Sequence, residues 1–137
     1  MREIYFRGKD LDGNWREGDL IWATLGQGQK PMILDAFDEI DIGNNLYEVA
    51  PDTVGQFTGL YDAEGREIYE GDIIKVIVVA KTPKWDFQRN FVVEWSVDGW
   101  YMEGDPLHVW ILLHTLKVIG NVHDNPGLLE VEHDRRD

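Results

Sequence analysis

The chain is expected to be mainly β: an antiparallel roll or barrel with additional hairpins and at most one or two short helices. Three observations carry that expectation. Glycine- and asparagine-bearing turn signals recur every ~8–12 residues, the spacing of short paired strands. The segments between them are rich in β-branched and aromatic residues, which suit a pleated, half-buried surface. One stretch, TVGQFTGLYDAEGREIYEGDIIK at 53–75, shows the whole pattern at once. Its turns are Asp62-Ala63-Glu64-Gly65 and Tyr69-Glu70-Gly71-Asp72, and Phe57, Leu60, Ile68, Ile73 and Ile74 supply apolar weight.

Taken in order, Ile4 to Phe6 form a first strand, and Asp10-Leu11-Asp12-Gly13-Asn14 turns the chain. Asp bonds its own backbone in such turns, and Gly and Asn tolerate positive φ. Glu17-Gly18-Asp19 reads as a second turn before a strand from Leu20 to Leu25. Gly26 to Gln29 then closes a hairpin onto Met32-Ile33-Leu34 with a loop of about four residues. FRGKDLDGNWREGDLI at 6–21 echoes FTGLYDAEGREIYEGDII at 57–74: both read Phe-x-Gly, Asp-x-x-Gly, Glu-Gly-Asp and two aliphatics. Two copies are too few for a repeat array. They suggest one β-turn-β device used twice, with chance turn chemistry as the alternative.

DAFDEIDIGNN at 35–45 is a loop or a single helical turn, and Leu46 to Val49 is a strand that Pro51 ends. Ile73 to Ala80 is apolar almost throughout and is the strongest strand signal in the chain. Phe91 to Trp95, the Asp98-Gly99 turn and Trp100 to Met102 form a hairpin. His108 to Val118 alternates over part of its length, and its Val, Ile, Trp and Thr content favours a strand over a helix. Gly120-Asn121 ends the next segment, Leu128 and Leu129 form a short helix or an extended tail, and the charged residues after Glu130 fray.

The 137 residues suit one domain, with an N-terminal hairpin part at about 1–50, a core at about 51–129 and a charged tail at 130–137. The net charge of −13 opposes unaided binding to phosphate backbones and permits cationic partners. With no cysteine there is no disulfide, thiolate nucleophile or cysteine-based zinc site. The apolar runs are too short to span a bilayer as a helix, and the N-terminus lacks the apolar run of a signal peptide. A soluble, cytoplasmic protein without membrane contact is expected.

No catalytic or cofactor motif stands out, and neither a cofactor nor a metal is expected. On a strand, His108 and His114 share a face nearly 20 Å apart, beyond the reach of one ion. Ser96 is the sole serine and sits in no nucleophile elbow. Gly26-Gln27-Gly28-Gln29-Lys30 lacks the spacing of a phosphate-binding loop. Residues 75–89 carry four basic residues against Asp86 alone, so Lys81, Lys84, Trp85 and Arg89 are candidates for nucleic-acid or partner contact. Gly59, Gly65, Gly71, Asp72, Gly120 and Asn121 are assigned to structure: glycines for the turns, Asp72 to accept backbone N–H groups at a strand entry. The six tryptophans exceed what a small core easily hides, so part of them is expected at a self-association surface.

The run Thr53 to Leu60, the turn Asp62 to Gly65 and Ile68-Tyr69-Glu70-Gly71-Asp72-Ile73-Ile74 resemble the signature of the YopX family. Val93-Glu94-Trp95 with Gly99-Trp100-Tyr101 is similar to that family's next hairpin, and Val118 to Pro126 with Leu128-Leu129 to its closing motif. The opening Phe6-Arg7-Gly8-Lys9-Asp10 is similar as well. The resemblance implies a small bacteriophage or prophage protein, an SH3-like roll forming homo-oligomers in the bacterial cytoplasm. It brings no established activity and no catalytic residue. A host or phage protein is then the expected partner. The excursion from Lys75 to Arg89 and the tail after Glu130 depart from the family pattern.

Overall fold

The computed structural model describes residues 4–24, 26, 28–35, 45–77, 88–96 and 98–129. It divides into two compact units, Met1–Phe57 and Thr58–Asp137.

Unit 1 is an antiparallel sheet. Its strands are β1 (Phe6–Lys9), β2 (Trp15–Thr24), β3 (Gln29–Leu34), β4 (Leu46–Glu48) and the start of β5 (Gly55–Tyr61), in the order β4-β3-β2-β1-β5. Thr24 pairs with Gln29, so the β2–β3 loop has the expected length. A 3-10 turn at Pro51–Thr53 leads into β5, with proline at its start where a missing N–H costs nothing. Pro31, Ile33 and Val49 are fully buried here. Tyr5 stacks on Phe57 at 4.8 Å.

The Glu17-Gly18-Asp19 turn expected from sequence is absent. These residues run straight through the ten-residue strand β2, where Gly18 lies opposite Phe6. The reason is close backbone approach. A Cβ on Gly18 would overlap the Leu34 carbonyl, so glycine serves contact between strands rather than reversal of the chain. The loop read at 35–45 lies outside the described residues except at its ends, where the Asp35 N–H donates to the Asn45 carbonyl at 2.8 Å.

Unit 2 holds the end of β5 beside β6 (Glu67–Tyr69), then β7 (Asp72–Ile77), β8 (Gln88–Val92), β9 (Glu94–Ser96), β10 (Gly99–Met102), β11 (Asp105–Pro106), helix α1 (Leu107–Leu113) and β12 (Thr115–Asn121). Two further antiparallel sheets form, β12-β7-β8 and β11-β10-β9. Ile68, Ile74, Val76, Phe91, Val93, Trp100, Met102, Leu107, Leu116 and Val118 make one buried cluster. Burying each of the Ile, Leu or Met side chains contributes about 1.5–3 kcal/mol. Val93 separates β8 from β9 because its N–H and carbonyl are turned to Asp72 and Gly71.

Among the described residues the protein is therefore mainly β and antiparallel, with short helices only. Two expectations are corrected. The described sheets are not closed into a barrel. The strand expected from His108 to Val118 is instead the helix α1 followed by β12. Leu107, Trp110, Ile111 and His114 recur at helical spacing, and the first three pack on the core cluster, so burial along one helical stripe outweighs β-propensity. The Trp110 indole N–H donates to the Met102 carbonyl at 2.8 Å and pins the helix. Leu112 and Leu113, on the opposite stripe, are 79% and 62% exposed.

Candidate functional site

The echo between 6–21 and 57–74 is real in its first half. Asp10 Oδ1 accepts the N–H groups of Asp12 and Asn14, each at 2.9 Å. Asp62 Oδ1 accepts those of Glu64 and Arg66 at 2.9 and 2.8 Å. In both tips the glycine N–H returns to the aspartate carbonyl at 3.0 Å, Gly13 to Asp10 and Gly65 to Asp62. Gly13 and Gly65 have φ of 87° and 81°. One carboxylate thus satisfies two turn amides, and a glycine takes the left-handed position.

The second carboxylate oxygen differs between the copies. Asp10 Oδ2 accepts from Arg16 Nε at 2.8 Å, and the Arg16 guanidinium also lies 3.8 Å from the Tyr47 ring centre. The Asn14 amide and the Arg16 guanidinium hold the Asp10 carboxyl below the ordinary carboxylate value, and Asp10 raises Arg16 in return. Asp62 Oδ2 instead reaches across unit 2 to the Val118 N–H at 2.9 Å. Ala63 N–H donates to the Leu116 carbonyl and Arg66 Nη1 to the Val118 carbonyl, so this tip clasps β12. The clasp sits where the β12 register shifts between Val118 and Gly120.

The pH consequence for Asp10 follows from the sign of its shift. A depressed folded-state value means the group stabilises above its unfolded value and loses that contribution as pH falls through the folded value. Wild-type stability is therefore expected to drop as pH falls below 3.8, the ordinary aspartate value. Asp10→Asn should be less stable at pH 7 and show a shallower acid decline, read from urea midpoints across the range.

The Glu-Gly-Asp half of the echo diverges. Gly71 is a true turn residue with φ of 87°. Its N–H donates to the Val93 carbonyl and its carbonyl accepts from Val122, both at 2.9 Å. Asp72 is 1% exposed, and its Oδ2 accepts the Tyr69 N–H at 2.8 Å, closing the turn at the entry to β7. Gly59 has φ of 84° within β5. Gly120 abuts Asn125, whose Cγ would lie 2.8 Å from an added Cβ. Asn121 Oδ1 accepts the N–H groups of His123 and Asp124 at 3.0 Å, and Asn125 Oδ1 accepts the Asn121 N–H at 3.3 Å. Gly59, Gly65, Gly71, Asp72, Gly120 and Asn121 thus all lie at turns, strand bends or close contacts.

Of the proposed contact residues, Lys81, Lys84 and Trp85 lie outside the described residues. Arg89 has its backbone in β8, opposite Val76. Among the described residues no group of three metal-ligating side chains assembles, and His108 and His114 belong to α1 and its C-cap. A small cavity of about 80 Å³ lies between Tyr61, Asp62, Ala63, Ile111, His114 and Leu116. Its Asp62 carboxylate is already taken up by three backbone amides.

Among the described residues the six buried Asp, Asn and Thr residues serve the backbone, whereas Trp100 Nε1 and His114 Nδ1 are buried without a hydrogen-bond partner. Thr53 Oγ1 accepts the Lys9 N–H and donates to the Ala50 carbonyl. Thr58 Oγ1 donates to the Ile68 carbonyl and accepts from Leu60. Asp10, Asp62, Asp72 and Asn121 do so as described above. The large apolar side chains exposed among the described residues are Ile4, Leu11, Ile21 and Trp22 in unit 1 and Tyr61, Trp95, Leu112 and Leu113 in unit 2. The tryptophan count pointed to exposed aromatics, but not to which ones. Trp95 pairs with Trp100 across β9 and β10 at 4.8 Å, edge to face, and remains 54% exposed. No helix is long and apolar enough to cross a membrane among the described residues.

No curated protein matches the sequence. Among solved structures, protein EF1440 from Enterococcus faecalis is similar, with a TM-score of 0.60 at 23% identity. The alignment covers 94% of this chain and 99% of that one, which supports the fold alone. The family model described as YopX protein matches residues 5–130, nearly the whole chain. The chain belongs to the YopX family.

Proposed function

We propose that this protein is a non-enzymatic phage or prophage accessory protein that acts by binding another protein, as a homo-oligomer in the bacterial cytoplasm. One observation supports the reading: among the described residues the six buried Asp, Asn and Thr residues serve the backbone, while large apolar side chains stand exposed on both units. A catalytic site needs polar groups converging on a substrate atom. A binding module needs exposed aromatic and apolar anchors, as here. The SH3-like arrangement implied by the resemblance belongs to the same proposal.

Affinity capture from host lysate with mass spectrometry, beside a sizing measurement of the free protein, tests it. The expected result is a specifically captured protein and an elution mass above the 15.9 kDa protomer. A monomer that captures nothing overturns it. The local excess of positive charge at 75–89 supports a second reading, a nucleic-acid module using Lys81, Lys84, Trp85 and Arg89. That reading requires salt-sensitive retention of DNA in a shift assay, and no retention at low salt removes it.

A further inference from the structure

We propose that the outward stripe of helix α1 is a contact between two copies of this chain, the two helices lying antiparallel about a two-fold axis with Leu112 and Leu113 at its centre. This rests on the homo-oligomer of the reading above and names the surface through which the copies meet. Helix α1 is apolar on both sides. Leu107, Trp110 and Ile111 pack on the core cluster, while His108, Val109, Leu112 and Leu113 recur at the spacing of the opposite stripe. A helix that is apolar all round is one with both sides covered. Here only the inner side is. Leu112 and Leu113 are the most exposed large apolar side chains of unit 2 among the described residues. Tyr61, half exposed, lines the same small cavity as Ile111 and His114 and adds apolar surface beside the helix.

The charge pattern selects a second copy as the occupant. Pro106 to Leu116 contains no Asp, Glu, Lys or Arg. With 26 acidic residues against 13 basic ones, two copies meeting elsewhere would bring carboxylate against carboxylate, and like charges in contact oppose association. A partner of opposite charge would need no such clearing. The flanks of the run carry opposite signs: Asp105 precedes it and Lys117 follows it, both exposed. In a two-fold contact, residues away from the axis meet different residues of the other copy. Antiparallel helices bring the start of one beside the end of the other, so Asp105 of one copy meets Lys117 of the other. The Lys117 ion pair with Glu64, at 3.5 Å, is exposed and weak, and it leaves that charge available. The other long uncharged run, Leu20 to Gln29, forms no such face, because Ile21 and Trp22 are neighbours on β2 and point to opposite sides. A two-turn helix and one tyrosine make a small interface, so the dimer is weak and forms as concentration rises.

Sedimentation velocity of the full chain over a range of concentrations tests this, with circular dichroism melts to show that each variant is folded. The wild-type chain should sediment as more than the 15.9 kDa protomer as concentration rises. L112E combined with L113E sets carboxylates on both sides of the axis and should raise the dimer Kd at least about tenfold. Its melt should match wild type, since both side chains are exposed. L11E, at an exposed turn of unit 1, should change the Kd by no more than about twofold through net charge alone. D105K should weaken association about threefold although it makes each copy less acidic, and adding K117E should restore it to within about twofold of wild type. A D105K effect that K117E does not relieve overturns the antiparallel contact. If the wild-type chain self-associates and the L112E/L113E chain does so equally, this surface is wrong and the homo-oligomer reading stands. If that variant keeps the wild-type mass but loses a protein captured from lysate, the face belongs to a different partner and the proposal falls. If the wild-type chain is monomeric at every concentration, the homo-oligomer reading itself fails.

Discussion

Replacing Gly71 by valine is expected to destabilise the fold by about 3 kcal/mol, because a β-branched residue is forced into left-handed backbone. For a chain of this length that lowers the thermal midpoint by roughly 10 °C, visible in a circular dichroism melt. Space is not the obstacle. A Cβ at Gly71 would lie 3.6 Å from Val122 and 3.7 Å from His123, ordinary contact distances. The cost lies in φ of 87°. Relaxing that angle would break the Gly71 bonds to Val93 and Val122, which tie the turn to the β8–β9 junction and to the end of β12. Gly71→Asn should recover most of the loss, since asparagine tolerates this conformation. Equal melts for Gly71→Val and Gly71→Asn would show that backbone strain is not the cause.

Asp62→Ala should cost more, about 3–5 kcal/mol, because it strands three backbone donors at once. The side chain is 7% exposed, so water cannot simply replace it. Glu64 and Arg66 lose their acceptor at the tip, and Val118 loses its own within β12. Leaving a buried N–H unmade costs more than the bond is worth when present. Asp10→Ala gives the informative contrast. It removes the same two turn amides' acceptor, but its third partner is the Arg16 side chain, which is 30% exposed and reaches water. Urea midpoints for the two variants should therefore differ clearly, with Asp62→Ala the lower. Equal midpoints would mean that the clasp on β12 contributes nothing.

What the sequence discloses here is local chemistry, and what it hides is distance. The Asp-x-x-Gly tips were legible because their bonds close within four residues, and aspartate with glycine at that spacing has few other uses. The carboxylate of Asp62 was not legible as a clasp, since Val118 lies 56 positions away. Gly18 was misread as a turn for the same reason: the group that demands glycine is a carbonyl on β3, invisible to a local pattern. Helix α1 hid behind its composition. Leu107, Trp110, Ile111 and His114 carried the helical spacing, but valine, isoleucine and tryptophan outvoted it until tertiary packing settled the matter.

Asp62 and Asp72 hold the turns of 53–75 together through backbone N–H groups, which places the proposed partner's contacts on other residues. Equilibrium urea unfolding of Asp62→Asn, with partner capture by the same sample, tests it most directly. Both aspartate oxygens accept N–H groups, and asparagine offers only one oxygen, so either the tip or Val118 must face an N–H. The expected result is a loss of at least about 2 kcal/mol, with capture preserved in whatever fraction remains folded. Unchanged stability together with abolished capture would contradict it and make Asp62 a functional group.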